Sequence, residues 1–111
     1  MATRIINAAV ALADTNLTAL YTCPSSHRAI VKELWLTNVD GTNAVDATIK
    51  WTDTSASATF AIISTKSVAA DSYLRIEGAN IVLEATDILK AQAGAANDLT
   101  VSAFIEEIYT P

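Results

Sequence analysis

Hydrophobic and polar residues alternate along most of this chain, and short clusters of turn formers interrupt the alternation. In Ala44–Thr52, Ala47, Ile49 and Trp51 fall on one side and Thr48, Lys50 and Thr52 on the other. In Tyr73–Glu77, Leu74 and Ile76 face one way, and Tyr73, Arg75 and Glu77 the other. A period of two is the signature of a half-buried strand. Breakers recur at short intervals: Asp14-Thr15-Asn16, Pro24-Ser25-Ser26, Asp40-Gly41-Thr42-Asn43, Asp53-Thr54-Ser55, Ala70-Asp71-Ser72, Gly78-Ala79-Asn80, Thr86-Asp87 and Gly94 through Asp98. Strands of this length, with turns at this spacing, predict an all-β antiparallel sandwich, jelly-roll-like, of about eight or nine short strands.

The predicted strands are Arg4–Leu12, Thr18–Cys23, Arg28–Asn38, Ala44–Thr52, Ala58–Ser64, Tyr73–Glu77, Ile81–Glu84, Ile88–Ala93 and Leu99–Tyr109. Two resist a simple reading. No single alternation places Ile30, Val31, Leu34, Trp35 and Leu36 on one face, so that strand is either buried on both sides or bulged near Lys32-Glu33. The last strand keeps Leu99, Val101, Ala103 and Ile105 together and then loses the pattern at Glu106, Glu107, Ile108 and Tyr109. Strands apolar on both faces in a small sandwich point to an outer face that meets a partner chain. The Ala-rich stretches Ala8–Ala13 and Ala91–Ala96 favour helix by composition. They are short, the second contains Gly94, and at most one helical turn is expected there.

Composition narrows the function classes. The 111 residues suit a single domain, 1–111. Only 17% are charged, so the surface relies on Thr, Ser, Asn and Ala. The net charge is −5, and the seven basic residues are scattered from Arg4 to Lys90. Binding to nucleic acid needs clustered cations to displace phosphate counterions, so no nucleic-acid partner is expected. An anionic membrane surface is disfavoured for the same reason, and no apolar run reaches the ~20 residues of a membrane helix. The opening MATRIINAAVALADT is broken by Asn7 and alternates like a strand, so it reads as mature sequence. Cys23 is the only cysteine, which excludes an internal disulfide and suits folding in a reducing cytoplasm.

Catalytic and metal chemistry has little to work with. His27 is the only histidine. Beside Pro24-Ser25-Ser26 it reads as a solvated turn residue rather than the base of a Ser–His–Asp site. Zinc needs about three His or Cys ligands, and the chain has one of each. Cys23 reads as a small buried residue at a strand end. Asp40-Gly41-Thr42-Asn43 with Asp46 resembles a calcium loop only superficially: it lacks the closing Glu and the alternate-position ligands. A turn explains it better. No Gly-rich phosphate loop is present, and nothing singles out a pair of carboxylates. No cofactor and no catalytic residue is therefore expected. Among the aromatics, Trp51 and Phe60 read as core. Trp35 and Tyr73 read as an exposed pair suited to anchor an interface, and Tyr109 joins them as a candidate from the irregular end of the last strand.

Three blocks carry a family resemblance. They are Leu17–Pro24 through Arg28–Asn38 (LTALYTCP and RAIVKELWLTN), Ile81–Ala91 (IVLEATDILKA) and Leu99–Glu106 (LTVSAFIE). They resemble a group of small tailed-bacteriophage virion structural proteins, in which the first block commonly reads L-Y-T-x-P, then A-x-V-K, an apolar run and T-N. The second commonly reads I-V-L-E-x-G-D-x-L-x-A. This chain departs from the pattern at Ser25-Ser26-His27-Arg28, where a Gly is common, and at Thr86, where the group has Gly. Both departures fall in turns and alter loop geometry rather than fold. The resemblance implies a non-enzymatic capsid decoration (cement) protein that bridges neighbouring copies of the major capsid protein. It would be made in the bacterial host cytoplasm and placed on the capsid exterior, commonly as a homotrimer. It also admits a tail, baseplate or fibre-associated module, including one that binds host glycans.

Overall fold

The computed structural model describes residues 2–111. Eight strands follow one another without a helix among the described residues: β1 (Thr3–Ala11), β2 (Thr18–Thr22), β3 (His27–Asn38), β4 (Val45–Asp53), β5 (Ala58–Val68), β6 (Tyr73–Leu83), β7 (Ile88–Ala93) and β8 (Leu99–Tyr109). They form two four-stranded sheets, β1-β8-β3-β6 and β2-β7-β4-β5. All pairings are antiparallel. Because successive strands alternate between the sheets, the chain crosses the sandwich at almost every turn. That connectivity is jelly-roll-like and closes the two sheets over one core.

The inner faces meet through Val31, Leu34, Leu36, Ile49, Leu83, Leu89, Leu99, Val101 and Ile105, all 0–1% exposed. Each such side chain contributes roughly 1.5–3 kcal/mol by leaving water. The Ala-rich stretches are strand, because tertiary burial outweighs their helical propensity: Ala91 and Ala93 are buried in β7.

The ambiguity in β3 resolves as a bulge. Its pairing with both neighbours shifts register between Val31 and Glu33, at Lys32. Ala29 and Val31 face the core before it, and Leu34, Leu36 and Asn38 face the core after it. The extra residue flips the parity of the strand. On β6 the same disturbance is wider, with Gly78 at φ 61° and Asn80 at φ 48°. A turn is predicted at Gly78-Ala79-Asn80 and would split this segment into two strands. The chain instead bulges there and continues as one, which is why eight strands form and not nine. β5 likewise runs on past Ser64 to Val68, through Thr65 at φ 47°.

In β8 the alternation never breaks. Leu99, Val101, Ala103, Ile105 and Glu107 are all buried on the inner face. The pattern is lost in the sequence only because an apolar slot holds a carboxylate. Phe60 is a second correction. It stacks on Trp51 with ring centroids 5.0 Å apart, but it lies on edge strand β5 and is 44% exposed. It covers the flank of the core and does not fill it.

Candidate interaction surface

The two outer faces differ in kind. On the β2-β7-β4-β5 sheet, Lys50 and Lys90 sit opposite each other. The hydroxyls of Thr52 and Thr59 hydrogen-bond across strands at 2.8 Å, and Gln92 Nε2 donates to the carbonyl of Thr15 at 2.9 Å. This is a polar, solvated face.

The outer face of β1-β8-β3-β6 is apolar. Its strand registers align Ile5, Glu106, Ile30 and Val82 in one row, and Asn7, Phe104, Glu33 and Glu77 in the next. Then come Ala9, Ser102, Trp35 and Arg75, followed by Ala11, Thr100, Thr37 and Tyr73. Four of the seven large exposed hydrophobics lie here: Ile5, Tyr73, Val82 and Phe104. Half-buried Ile30, Trp35 and Ile108 fill the spaces between them. Its charges cancel, with Arg28, Lys32 and Arg75 against Glu33, Glu77 and Glu106. Most of them are already paired: Arg75 with Glu33 and, at 2.5 Å, Glu77, and Lys32 with Glu106 at 3.8 Å. Large exposed hydrophobics interleaved with paired, mutually neutralised charges suit an interface.

Trp35 and Tyr73, expected as an exposed pair, lie side by side on this face, Trp35 half-buried and Tyr73 exposed. Their rings are 5.1 Å apart, and the Arg75 guanidinium lies 4.9 Å from the centre of the Trp35 ring. The Glu33 carboxylate beside Arg75 raises the guanidinium further above its ordinary pKa, so the cation stays charged and the stack stays organised. Tyr109 is elsewhere. It follows Glu107 at the lip of the sandwich, on the inner side, against the His27 ring at 5.3 Å.

The remaining polar side chains act on the fold. His27 Nδ1 contacts the carbonyl of Ser25 at 2.8 Å. Asp40 Oδ1 accepts from the amides of Thr42 and Asn43, so its carboxylate closes the turn once compared with a calcium loop. Three carboxylates that sequence reading did not connect, Asp53, Glu84 and Asp87, place one oxygen each within 4.8 Å of one another. Asp87 is already engaged there: it accepts from Thr54 N at 3.1 Å and Glu84 N at 3.0 Å and ties two loops. Cys23 is fully buried, and desolvation, with Glu107 and Asp87 nearby, pushes its thiol up to about 11. It is therefore a protonated, inert core residue at neutral pH.

Glu107 is the other residue missed in the sequence. Its carboxylate, 2% exposed, accepts from Arg4 Nε at 2.7 Å and from the Tyr21 hydroxyl. Burial raises the tyrosine pKa well above its usual value, and the bond to the carboxylate raises it further. For Glu107 burial also pulls upward, but the Tyr21 and Arg4 bonds outweigh it and the net direction is down. A carboxyl that binds its proton less readily when folded stabilises the protein above its unfolded pKa, and that stability is lost as pH falls through the folded value. Thermal melts between pH 7 and pH 3 should show it. Glu107→Gln is expected to be less stable than the wild type at pH 7 by about 1 kcal/mol, since Arg4 is largely exposed. The gap should close toward pH 3.

No protein-family model matches the chain, and no curated protein does. Solved structures do. A subunit of Bacillus endospore appendages, described as a novel family of disulfide-linked pili, is 19% identical with a TM-score of 0.55. That alignment covers 98% of this chain and 87% of the other. The acid-stable capsid structure of Helicobacter pylori bacteriophage KHP30 is 12% identical, TM-score 0.50, covering 99% and 90%. The Drosophila NLP core, described in terms of pentamer formation and histone binding, is 8% identical, TM-score 0.53, covering 96% and 97%. These likenesses define the class as an all-β sandwich whose solved neighbours include a viral capsid protein. At such identities they show the fold alone.

Proposed function

We propose that this protein is a non-enzymatic structural component of a bacteriophage virion. In this reading residues 1–111 act as one body on the capsid exterior and brace the shell by bridging copies of the major capsid protein. The apolar, charge-neutral outer face of β1-β8-β3-β6 carries this reading, since a cement protein works through contact area and needs no cleft. Trp35 and Tyr73 are its anchors, while Tyr109 serves the lip of the sandwich. The three blocks of sequence resemblance and the shared fold of a phage capsid protein support the reading. An acidic chain suits a position outside the shell, away from packaged DNA. Weak contacts of this kind gain strength by repetition over a symmetric shell. A covalent filament of the disulfide-linked kind does not suit this chain, whose one cysteine is buried.

The test is to mix the purified protein with undecorated expanded capsids built from the major capsid protein of the same phage. Saturable binding and a rise in capsid heat resistance are expected. Absence of both would sink the proposal, and about a dozen copies per virion on a stained gel would place the protein in the tail.

A further inference from the structure

Four strands end the two sheets: β1 and β6 in one, β2 and β5 in the other. An edge strand exposes a row of unpaired amides and carbonyls, and proteins usually blunt such rows with bulges, shortness or charge. Three of the four are blunted. β2 has five residues and a register shift between Ala19 and Tyr21. β5 pairs irregularly, passes through Thr65 at positive φ and carries Lys66. β6 is distorted at Gly78 and Asn80 and carries Arg75.

Of the four, β1 alone has neither a register shift nor a residue at positive φ. All nine residues pair with β8 without a shift. Its one charged side chain, Arg4, is 69% exposed at the edge but is tied to the buried Glu107 at 2.7 Å, which neutralises its charge. The ladder shows which groups are free. Leu12 N donates to Leu99 O at 2.9 Å, and Tyr109 N donates to Ala2 O at 2.8 Å. Even-numbered residues therefore bond to β8. In an antiparallel ladder the intervening residues turn both backbone groups the other way. Thr3, Ile5, Asn7, Ala9 and Ala11 thus present their amides and carbonyls to the open side. Their side chains lie on the apolar outer face, where Ile5 is 73% exposed.

We infer that β1 pairs with β1 of a second copy, antiparallel about a two-fold axis through Asn7. Asn7 then faces Asn7, Ile5 faces Ala9 and Thr3 faces Ala11. Five hydrogen-bonded pairs give about ten bonds, the number typical of a standard-size interface. Arg4 falls opposite Val10, so the register brings no like charges together. The two sheets fuse into one of eight strands, and the apolar face doubles without interruption. This replaces the trimer implied by the sequence resemblance with a two-fold pair. It stands on the strand edge alone, so it holds whether or not the protein decorates a shell.

The test uses the purified chain by itself, with its mass measured by light scattering after gel filtration. Twice the 11.7 kDa chain mass is expected. Asn7→Lys puts two ammonium groups at the axis and should give a folded monomer whose melting temperature, unlike that of the wild type, does not depend on protein concentration. Asn7→Cys should cross-link two copies on mild oxidation, since facing residues lie within disulfide reach. Ile5→Cys or Ala9→Cys alone should not cross-link, whereas a mixture of the two should. Cys23 is buried and does not interfere. A monomeric or trimeric wild type, a dimeric Asn7→Lys variant, or cross-linking of Ile5→Cys with itself would each overturn the inference.

Discussion

Asn38→Ala is expected to destabilise the protein by about 3 kcal/mol, and its melting temperature should fall by on the order of 10 °C. Asn38 is 1% exposed at the end of β3. Its Nδ2 donates to the carbonyls of Asn43 at 2.9 Å, Val68 at 3.0 Å and Ala69 at 3.3 Å. Its Oδ1 accepts from Asp40 N at 2.9 Å. One amide therefore holds the β3–β4 connection against the β5–β6 connection. Alanine leaves these backbone groups without their partner in a region that water reaches poorly, and the cost is desolvation rather than lost packing. Asn38→Asp separates this from a generic cavity effect. The carboxylate keeps the bond from Asp40 N but turns negative oxygen toward carbonyls. It should be at least as damaging as alanine at pH 7 and should recover part of its stability as pH falls toward 4. Chemical denaturation of both variants at two pH values checks the ordering. Equal, pH-independent losses would assign Asn38 a packing role only.

The second large effect concerns the outer face. Trp35→Ala should weaken capsid binding by about 30-fold or more, the ~2 kcal/mol of an aromatic hot spot. Tyr73→Ala should lose somewhat less, because it removes only the partner of the stack. Lys50→Ala, on the polar face of the other sheet, should bind like the wild type. Titration of labelled protein onto expanded capsids measures all three. The aromatic variants should stay folded, since the core lies on the other side of the sheet. If Lys50→Ala were the damaging change and Trp35→Ala harmless, the docking face would be the lysine-bearing sheet.

Local pattern carried a good part of this molecule. Alternation needs only neighbouring residues, so most of the strands and the inward Leu74 and Ile76 were readable, while the bulge near Lys32 stayed one of two alternatives until the pairing of β3 decided it. Tyr73 was readable as outward because it sits at a polar position of an alternating strand, whereas the side of Trp35 became clear only once the bulge at Lys32 fixed the parity of β3. Phe60 misled for a reason of place: its strand lies at a sheet edge, where an inward residue can still meet water. Glu107 misled because its partners, Arg4 and Tyr21, are distant in sequence, and a carboxylate in an apolar slot makes sense only beside them.

By itself the sequence determined that the chain is all-β, with an acidic and sparsely charged surface and no cluster of metal or nucleophilic residues in any one motif. These properties follow from local periodicity and composition. Only the tertiary structure decided which strands share a sheet. That assignment collects Ile5, Trp35, Tyr73, Val82 and Phe104 on one face, sends Tyr109 to the lip, joins Asp53, Glu84 and Asp87, and leaves β1 as the open, regular edge. Each of these depends on non-local register, and register is set by how two whole sheets bury their inner faces against each other.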